Sequence, residues 1–246
     1  MELLIVAIIG ACLGSFVTAA SYRLPLEEEI AVKRAHCTKC KKPLALRDLM
    51  PIFSWLANAG KCRFCKVNIS RRYIIIEVIM TLLAVALYLK FGQTAHFVIY
   101  LLLGTILMVM IVADFESYII PDSMTIAAFL LGFAKIYFIN HNWYSAFGGA
   151  LMCFAVAVIL RYGYQFLKKK EGLGMGDVKF LPVAGLWVGI GLLPVYFVTA
   201  GLLGVLTAII WRILFKNPIF PFGPALAVAM YILCVFDDTV RNFIFV

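Results

Sequence analysis

Apolar residues gather in eight runs along this chain, roughly 3–20, 74–89, 97–113, 123–139, 146–166, 180–193, 195–213 and 224–236. A helix that crosses a bilayer needs about 20 mostly apolar residues, or slightly fewer at the short end of the range. The runs therefore predict an all-α polytopic membrane protein with about eight transmembrane helices. The sixth and seventh runs meet at Pro194 and the eighth is short, so seven spans or a re-entrant piece stay open. Residues 1–22 begin Met1-Glu2 rather than with basic residues, and their apolar run ends in Ser21-Tyr22-Arg23-Leu24-Pro25 with no small-residue cleavage site. They read as a retained first helix.

Composition agrees with a lipid environment. Hydrophobic residues make up 64% of the 246 and charged residues 14%. Soluble chains are nearer half apolar and about a quarter charged. There is too little polar surface to coat a globule in water. The net charge of +9 falls mainly in the breaks between runs. Twelve Lys or Arg lie between Arg23 and Arg72; Arg161, Lys168, Lys169, Lys170, Lys179, Arg212 and Lys216 fall on the same side of an eight-span topology. Only Lys90, Lys135 and Arg241 fall opposite. The positive-inside rule then places the 23–73 loop in the cytoplasm and both termini outside. The charge is read as orientation in a bilayer, and no nucleic-acid partner is expected.

The 23–73 loop is the one segment large enough to be a separate domain, between a first helix at 1–22 and a membrane domain at 74–246. It carries Cys37-Thr38-Lys39-Cys40 and Cys62-Arg63-Phe64-Cys65. Two residues between thiolates let one tight turn aim both sulfurs at a single ion, and two such turns complete a tetrahedral structural site. A reducing cytoplasm disfavours disulfides, and the loop is too polar to build a core of its own. Zinc on Cys37, Cys40, Cys62 and Cys65 is the expected solution, with His36 a possible substitute ligand. A redox pair or four unrelated thiols are the competing readings. Cys12, Cys153 and Cys234 sit singly in apolar runs and read as small hydrophobes.

Ionisable groups on or beside membrane spans are candidate functional residues. Here they are Glu77, Asp114, Glu116, Asp122 and Asp177. Asp114 follows the run 97–113 directly, and Pro121 then starts a new element that Asp122 or Ser123 can cap. Asp177 lies in Gly172-Leu173-Gly174-Met175-Gly176-Asp177-Val178-Lys179, where bare glycine backbone permits close approach by a peptide. Both aspartates fall at the cytoplasmic ends of their runs. Two close carboxylates share a proton, so one can act as base on water while the other protonates a leaving amine. Each aspartate taken alone reads as a helix cap or a solvated boundary charge. His36, His96 and His141 are scattered and offer no nucleophile–base pairing.

In one order along nearly the whole chain run Gly14-Ser15-Phe16, Tyr22-Arg23-Leu24-Pro25, the double C-x-x-C, Pro51-Ile52-Phe53-Ser54-Trp55, Gly60-Lys61-Cys62, Ile69-Ser70-Arg71-Arg72-Tyr73 through Glu77, Ile120-Pro121-Asp122 and Gly174-Met175-Gly176-Asp177-Val178-Lys179. Together they resemble the type IV prepilin peptidases, membrane aspartic proteases of the G-x-G-D class. The resemblance implies an endopeptidase of the bacterial inner membrane. It would remove the basic leader of prepilins or pseudopilins after a glycine at the cytoplasmic face, with Asp114 and Asp177 catalytic. Many members also methylate the new N-terminus with S-adenosylmethionine. Gly174, Gly176 and Lys179 become candidate substrate contacts. Thr38 stands where the family usually has proline, and Gly14-Ser15-Phe16 is followed by Val17-Thr18-Ala19 without the usual asparagine. Setting the resemblance aside, a transporter with a zinc-stabilised cytoplasmic domain, or a non-enzymatic assembly factor, would also account for membrane carboxylates.

Overall fold

A computed structural model describes residues 1–27, 36–37, 39–45, 48–169, 172–216 and 220–244. Thr38 and Lys170, both singled out by the sequence, lie outside the described residues. The described residues are helical apart from loops and two isolated antiparallel bridges, His36 with Pro43 and Lys61 with Asn68. In chain order the helices are α1 (Glu2–Arg23), α2 (Phe53–Ala57), α3 (Arg72–Phe91), α4 (Ala95–Ser117), α5 (Asp122–Lys135), α6 (Trp143–Lys168), α7 (Met175–Val188), α8 (Leu193–Phe215), α9 (Gly223–Val235) and α10 (Asp237–Ile244). They form two compact units, Met1–Val109 and Met110–Val246, with the boundary inside α4.

In the first unit α1 packs on α3 through a stripe of small residues. Gly10, Ala11, Gly14, Val17, Thr18 and Ser21 of α1 are buried, and so are Ile76, Glu77, Met80, Ala84 and Leu87 of α3. Lipid is as apolar as leucine, so helices associate there by close packing and small residues mark the seam. A methyl group at Gly10 would lie 2.8 Å from the Met80 carbonyl oxygen, and one at Gly14 would lie 2.6 Å from Glu77 Cα. Backbone meets backbone along this seam, while Leu4, Ile5 and Ile8 remain exposed on the outer face. Arg72 closes one end by donating to the Thr18 carbonyl at 3.2 Å and to Ser21 Oγ at 2.7 Å. The buried Glu77 accepts the Ile52 N–H at 2.6 Å. That bond holds a β-branched residue at φ 63°, a conformation such residues rarely adopt.

The two C-x-x-C turns are built alike. Cys37 N–H donates to the Lys42 carbonyl and Lys41 N–H to the Cys37 carbonyl; Cys62 N–H donates to Val67 and Lys66 N–H to Cys62. Lys41 and Lys66 both turn the chain with positive φ, 57° and 59°. The four sulfurs come within 4.8 Å of one another, and Cys37 Sγ lies 3.8 Å from Cys65 Sγ. Four sulfurs set tetrahedrally about 2.3 Å from one ion stand about 3.8 Å apart, so the arrangement fits a thiolate-bound metal. The backbone N–H of Cys40 is the main influence drawing the Cys37 thiol down to about 6, which favours the ligating thiolate.

In the second unit the centre is α7. Phe180, Leu181 and every residue from Val183 to Val188 are buried, as is Asp177. It packs on α5, α6 and α9. α6 and α7 touch where Gly149 and Gly185 face each other, too close for a methyl group on either. Cys153 packs at the same crossing, Cys234 lies under Trp187, and Cys12 faces outward.

Among the described residues six helices are long and apolar enough to cross a membrane, and a seventh span arises if α9 and α10, bent by 81°, count as one. The difference from eight runs lies at 180–193. That stretch belongs to α7, which starts earlier, contains Pro182, stops at Gly189 and has 14 residues. At 1.5 Å per residue α7 is about 21 Å long, short of a hydrocarbon core of about 30 Å. A short helix survives at membrane depth because protein rather than lipid surrounds it.

Metal analysis of the purified chain is expected to find one ion per chain and a lower content in Cys37→Ser. Chelation or Cys37→Ser should open the 36–69 loop to protease while far-UV circular dichroism of the membrane helices is unchanged. A metal-free protein whose loop stays equally protected would contradict the site.

Candidate active site

Asp114 occupies the last turn of α4 and is 6% exposed; Asp177 occupies the first turn of α7 and is 9% exposed. Both carboxyls belong to the second unit and interact electrostatically with each other. Backbone amides hold them. Asp177 accepts a hydrogen bond from Gly174, the residue that caps α7, and Asp114 accepts one from Gly223, the first residue of α9. The free N–H groups at a helix start suit a carboxylate. Asp114 Oδ2 is buried and has no hydrogen-bond partner among the described residues. Buried polar atoms are nearly always partnered, so such an atom marks a place where chemistry, water or a ligand is engaged.

Ile120 ties the segments together. A methyl group at Gly176 would lie 3.1 Å from Ile120 Cβ, and one at Gly223 would lie 2.9 Å from Ile120 Cδ1 and 2.7 Å from Asp114 Oδ2. Three stretches distant in sequence thus converge: the end of α4 with its following turn, the glycine-rich start of α7, and Phe222-Gly223-Pro224. Tyr118, at φ 55°, reverses the chain so that Ile120 comes back over the site. Phe222 packs into the gap left by Gly204 on α8 and seats the third stretch.

The sequence-predicted residues sort differently from one another. Asp114, Asp177 and Gly174 come together. Gly176 turns its bare backbone to Ile120. The Lys179 ammonium binds both oxygens of Asp122, at 2.8 and 2.7 Å, in an exposed ion pair. Pairs of this exposure contribute about 0–1 kcal/mol. Asp122 was a candidate cap for α5, but Pro121 holds that position without a side-chain cap bond, and Asp122 is instead the first helical residue. Glu77 belongs to the first unit, where it holds Ile52. Gly223 and Ile120 were not singled out for the site. Phe-Gly-Pro just before an apolar run was the one sign of Gly223, and nothing in the sequence links it to Asp114.

Residues 8–91 match the bacterial peptidase A24 N-terminal domain, and residues 101–209 match the type IV leader peptidase family. Gly223 lies beyond the second match. The chain is 30% identical to the prepilin leader peptidase/N-methyltransferase of Neisseria gonorrhoeae, covering 95% of this chain and 90% of that protein. It is also 30% identical to the proteins of that name from Aeromonas hydrophila, covering 97% and 92%, and Bacillus subtilis, covering 97% and 96%. No solved structure matches. Two matched family domains in sequence and relatives aligned over nine-tenths of both lengths place this membrane protease in the type IV leader peptidase family.

Proposed function

We propose that this chain is the aspartic endopeptidase that removes the basic leader of a type IV prepilin or pseudopilin after a glycine, at the cytoplasmic membrane face. The observation that carries the reading is the pair of buried, interacting carboxyls, Asp114 and Asp177, one with an unpartnered oxygen. In the proposed reaction one carboxylate takes a proton from water as the oxygen attacks the scissile carbonyl. The other, protonated, stabilises the oxyanion and then protonates the amine as the C–N bond breaks. The glycine backbone at Gly174 and Gly176 would border the peptide on the α7 side. Lys179 would act at the rim through Asp122 rather than in the chemistry. Residues 23–73 would form the cytoplasmic domain, with zinc on Cys37, Cys40, Cys62 and Cys65, and 74–246 the peptidase domain.

The relatives' names include an N-methyltransferase. Methylation of the new amine is proposed as the second activity, with S-adenosylmethionine as donor, and no residue of this chain is assigned to hold it. The orientation proposed from the basic residues puts both termini outside and the cysteine loop and aspartates inside the inner membrane.

Asp114→Asn and Asp177→Asn should each lower the rate of leader cleavage by about 10⁴-fold or more, because members of such a unit are of little use alone. Membrane insertion and metal content should be unchanged. Gly223→Ala should cost about 10²-fold, since its methyl group would displace Asp114. Asp122→Asn should cost no more than about fivefold, the expectation for an exposed pair. The measurement is prepilin processed per minute at matched membrane levels, with product mass reporting cleavage and methylation together. Wild-type processing by Asp177→Asn would overturn the mechanism.

Reporter fusions after residues 45, 93, 118, 142 and 172 should read inside, outside, inside, outside, inside. Two consecutive fusions on one side would break the orientation there.

A further inference from the structure

A lysine deep in a membrane protein is costly and calls for a reason. Lys135 is 4% exposed at the end of α5. Its ammonium donates to the main-chain carbonyl of Trp187 in the last turn of α7. It pairs with no carboxylate among the described residues, although Asp237 and Asp238 line the same cavity of about 260 Å³. Asp237 is bound instead by Arg241 at 2.7 Å.

The last carbonyls of a helix have no partner within it and carry the negative end of its dipole. Gly189 turns the chain at φ 75° immediately after α7, beside the cavity lined by Asn142, Ser145, Asp237, Asp238 and Arg241. Lys135 supplies both the hydrogen bond and the positive charge that this end requires. The same residue is gripped elsewhere. Trp187 Nε1 donates to the Ala128 carbonyl of α5 at 2.9 Å, Cys234 Sγ of α9 approaches the Trp187 carbonyl at 3.7 Å, and the Lys135 ammonium lies 5.5 Å over the Trp187 ring. Gly132 of α5 leaves the room that Leu186 and Trp187 fill.

Asp177 is ten residues upstream, about 15 Å along the helix. Pro182 removes one backbone bond between them, yet the helix is continuous and its buried side, Phe180, Leu181 and Val183 to Val188, is packed throughout. Whatever fixes the axial position of Trp187 therefore fixes the depth at which Asp177 is presented to Asp114. We infer that Lys135 is a positioning residue for Asp177, acting through α7 from the end opposite the site. The inference rests on the peptidase reading above.

The test uses the purified full chain in lipid nanodiscs, with a type IV prepilin as substrate. Lys135→Met keeps the length of the side chain and removes the charge and the donor. Loss of the anchor should lower kcat at least tenfold, towards the roughly 10²-fold cost of a misplacement near 1 Å, while KM stays within about twofold. Lys135→Arg, which restores charge and donor, should recover most of kcat. Ile136→Val, a loss of one methylene in the neighbouring core, is the control for general loosening and should leave kcat unchanged. If Lys135→Met does not accumulate, Lys135→Gln and Trp187→Phe carry the same test, each removing part of the anchor and each expected to lower kcat without raising KM. A wild-type kcat in the anchor variants, or an equal loss in Ile136→Val, overturns the inference. A wild-type chain that leaves prepilin intact overturns the peptidase reading instead.

Discussion

The terminal backbone groups of a buried helix must find partners within the protein, and the candidate site here is built around such a helix. α7 packs on α5, α6 and α9 and, at about 21 Å, is shorter than a hydrocarbon core of about 30 Å. Its first turn holds Asp177 next to the Gly174 amide; its last turn gives the Trp187 carbonyl to Lys135. A carboxyl lies at the positive end and an ammonium at the negative end, the arrangement a helix dipole favours. Asp114 then needs only the end of α4 and the Gly223 amide to stand beside Asp177.

The same economy of small residues appears in both units for different ends. Along α1 and α3, Gly10 and Gly14 let two backbones meet where lipid supplies no hydrophobic drive. At Gly149 and Gly185 the close approach sinks α7 against α6, so its flanks are buried in protein. At Gly223 the missing side chain leaves the space that an aspartate oxygen occupies. A methyl group at these points would move a backbone or a carboxyl rather than fill a void.

The loop that carries the two cysteine pairs solves another problem. Of its described apolar residues only Cys62 is buried, and its two cysteine turns bring four sulfurs together as a single ion would require. Ile52, strained and held by the buried Glu77, fastens the segment before α2 to α3. The described part of the loop is thus fastened at its four sulfurs and at Glu77 rather than by a hydrophobic interior.

What could be read from the sequence was whatever depends on composition or on short spacing. Six of the eight apolar runs mark long helices because helix length against bilayer thickness is a property of one segment alone. The cysteine turns were legible because two intervening residues determine the turn that aims both sulfurs. Asp114 and Asp177 stood out because charge is rare in such runs. The length and role of α7 could not be read in this way: a helix buried in protein and one exposed to lipid are equally apolar, so hydropathy does not distinguish them. Gly223, Ile120 and the contact of Lys135 with Trp187 likewise depended on segments far apart in the chain coming together. Lys179, which spacing placed beside Asp177, faces Asp122 and the rim, since helical rotation decides which neighbours share a face. The residue types of the candidate site were visible in one dimension as chemistry; their register against one another came from packing, because only packing determines which backbone amide and which side chain arrive at a given carboxyl.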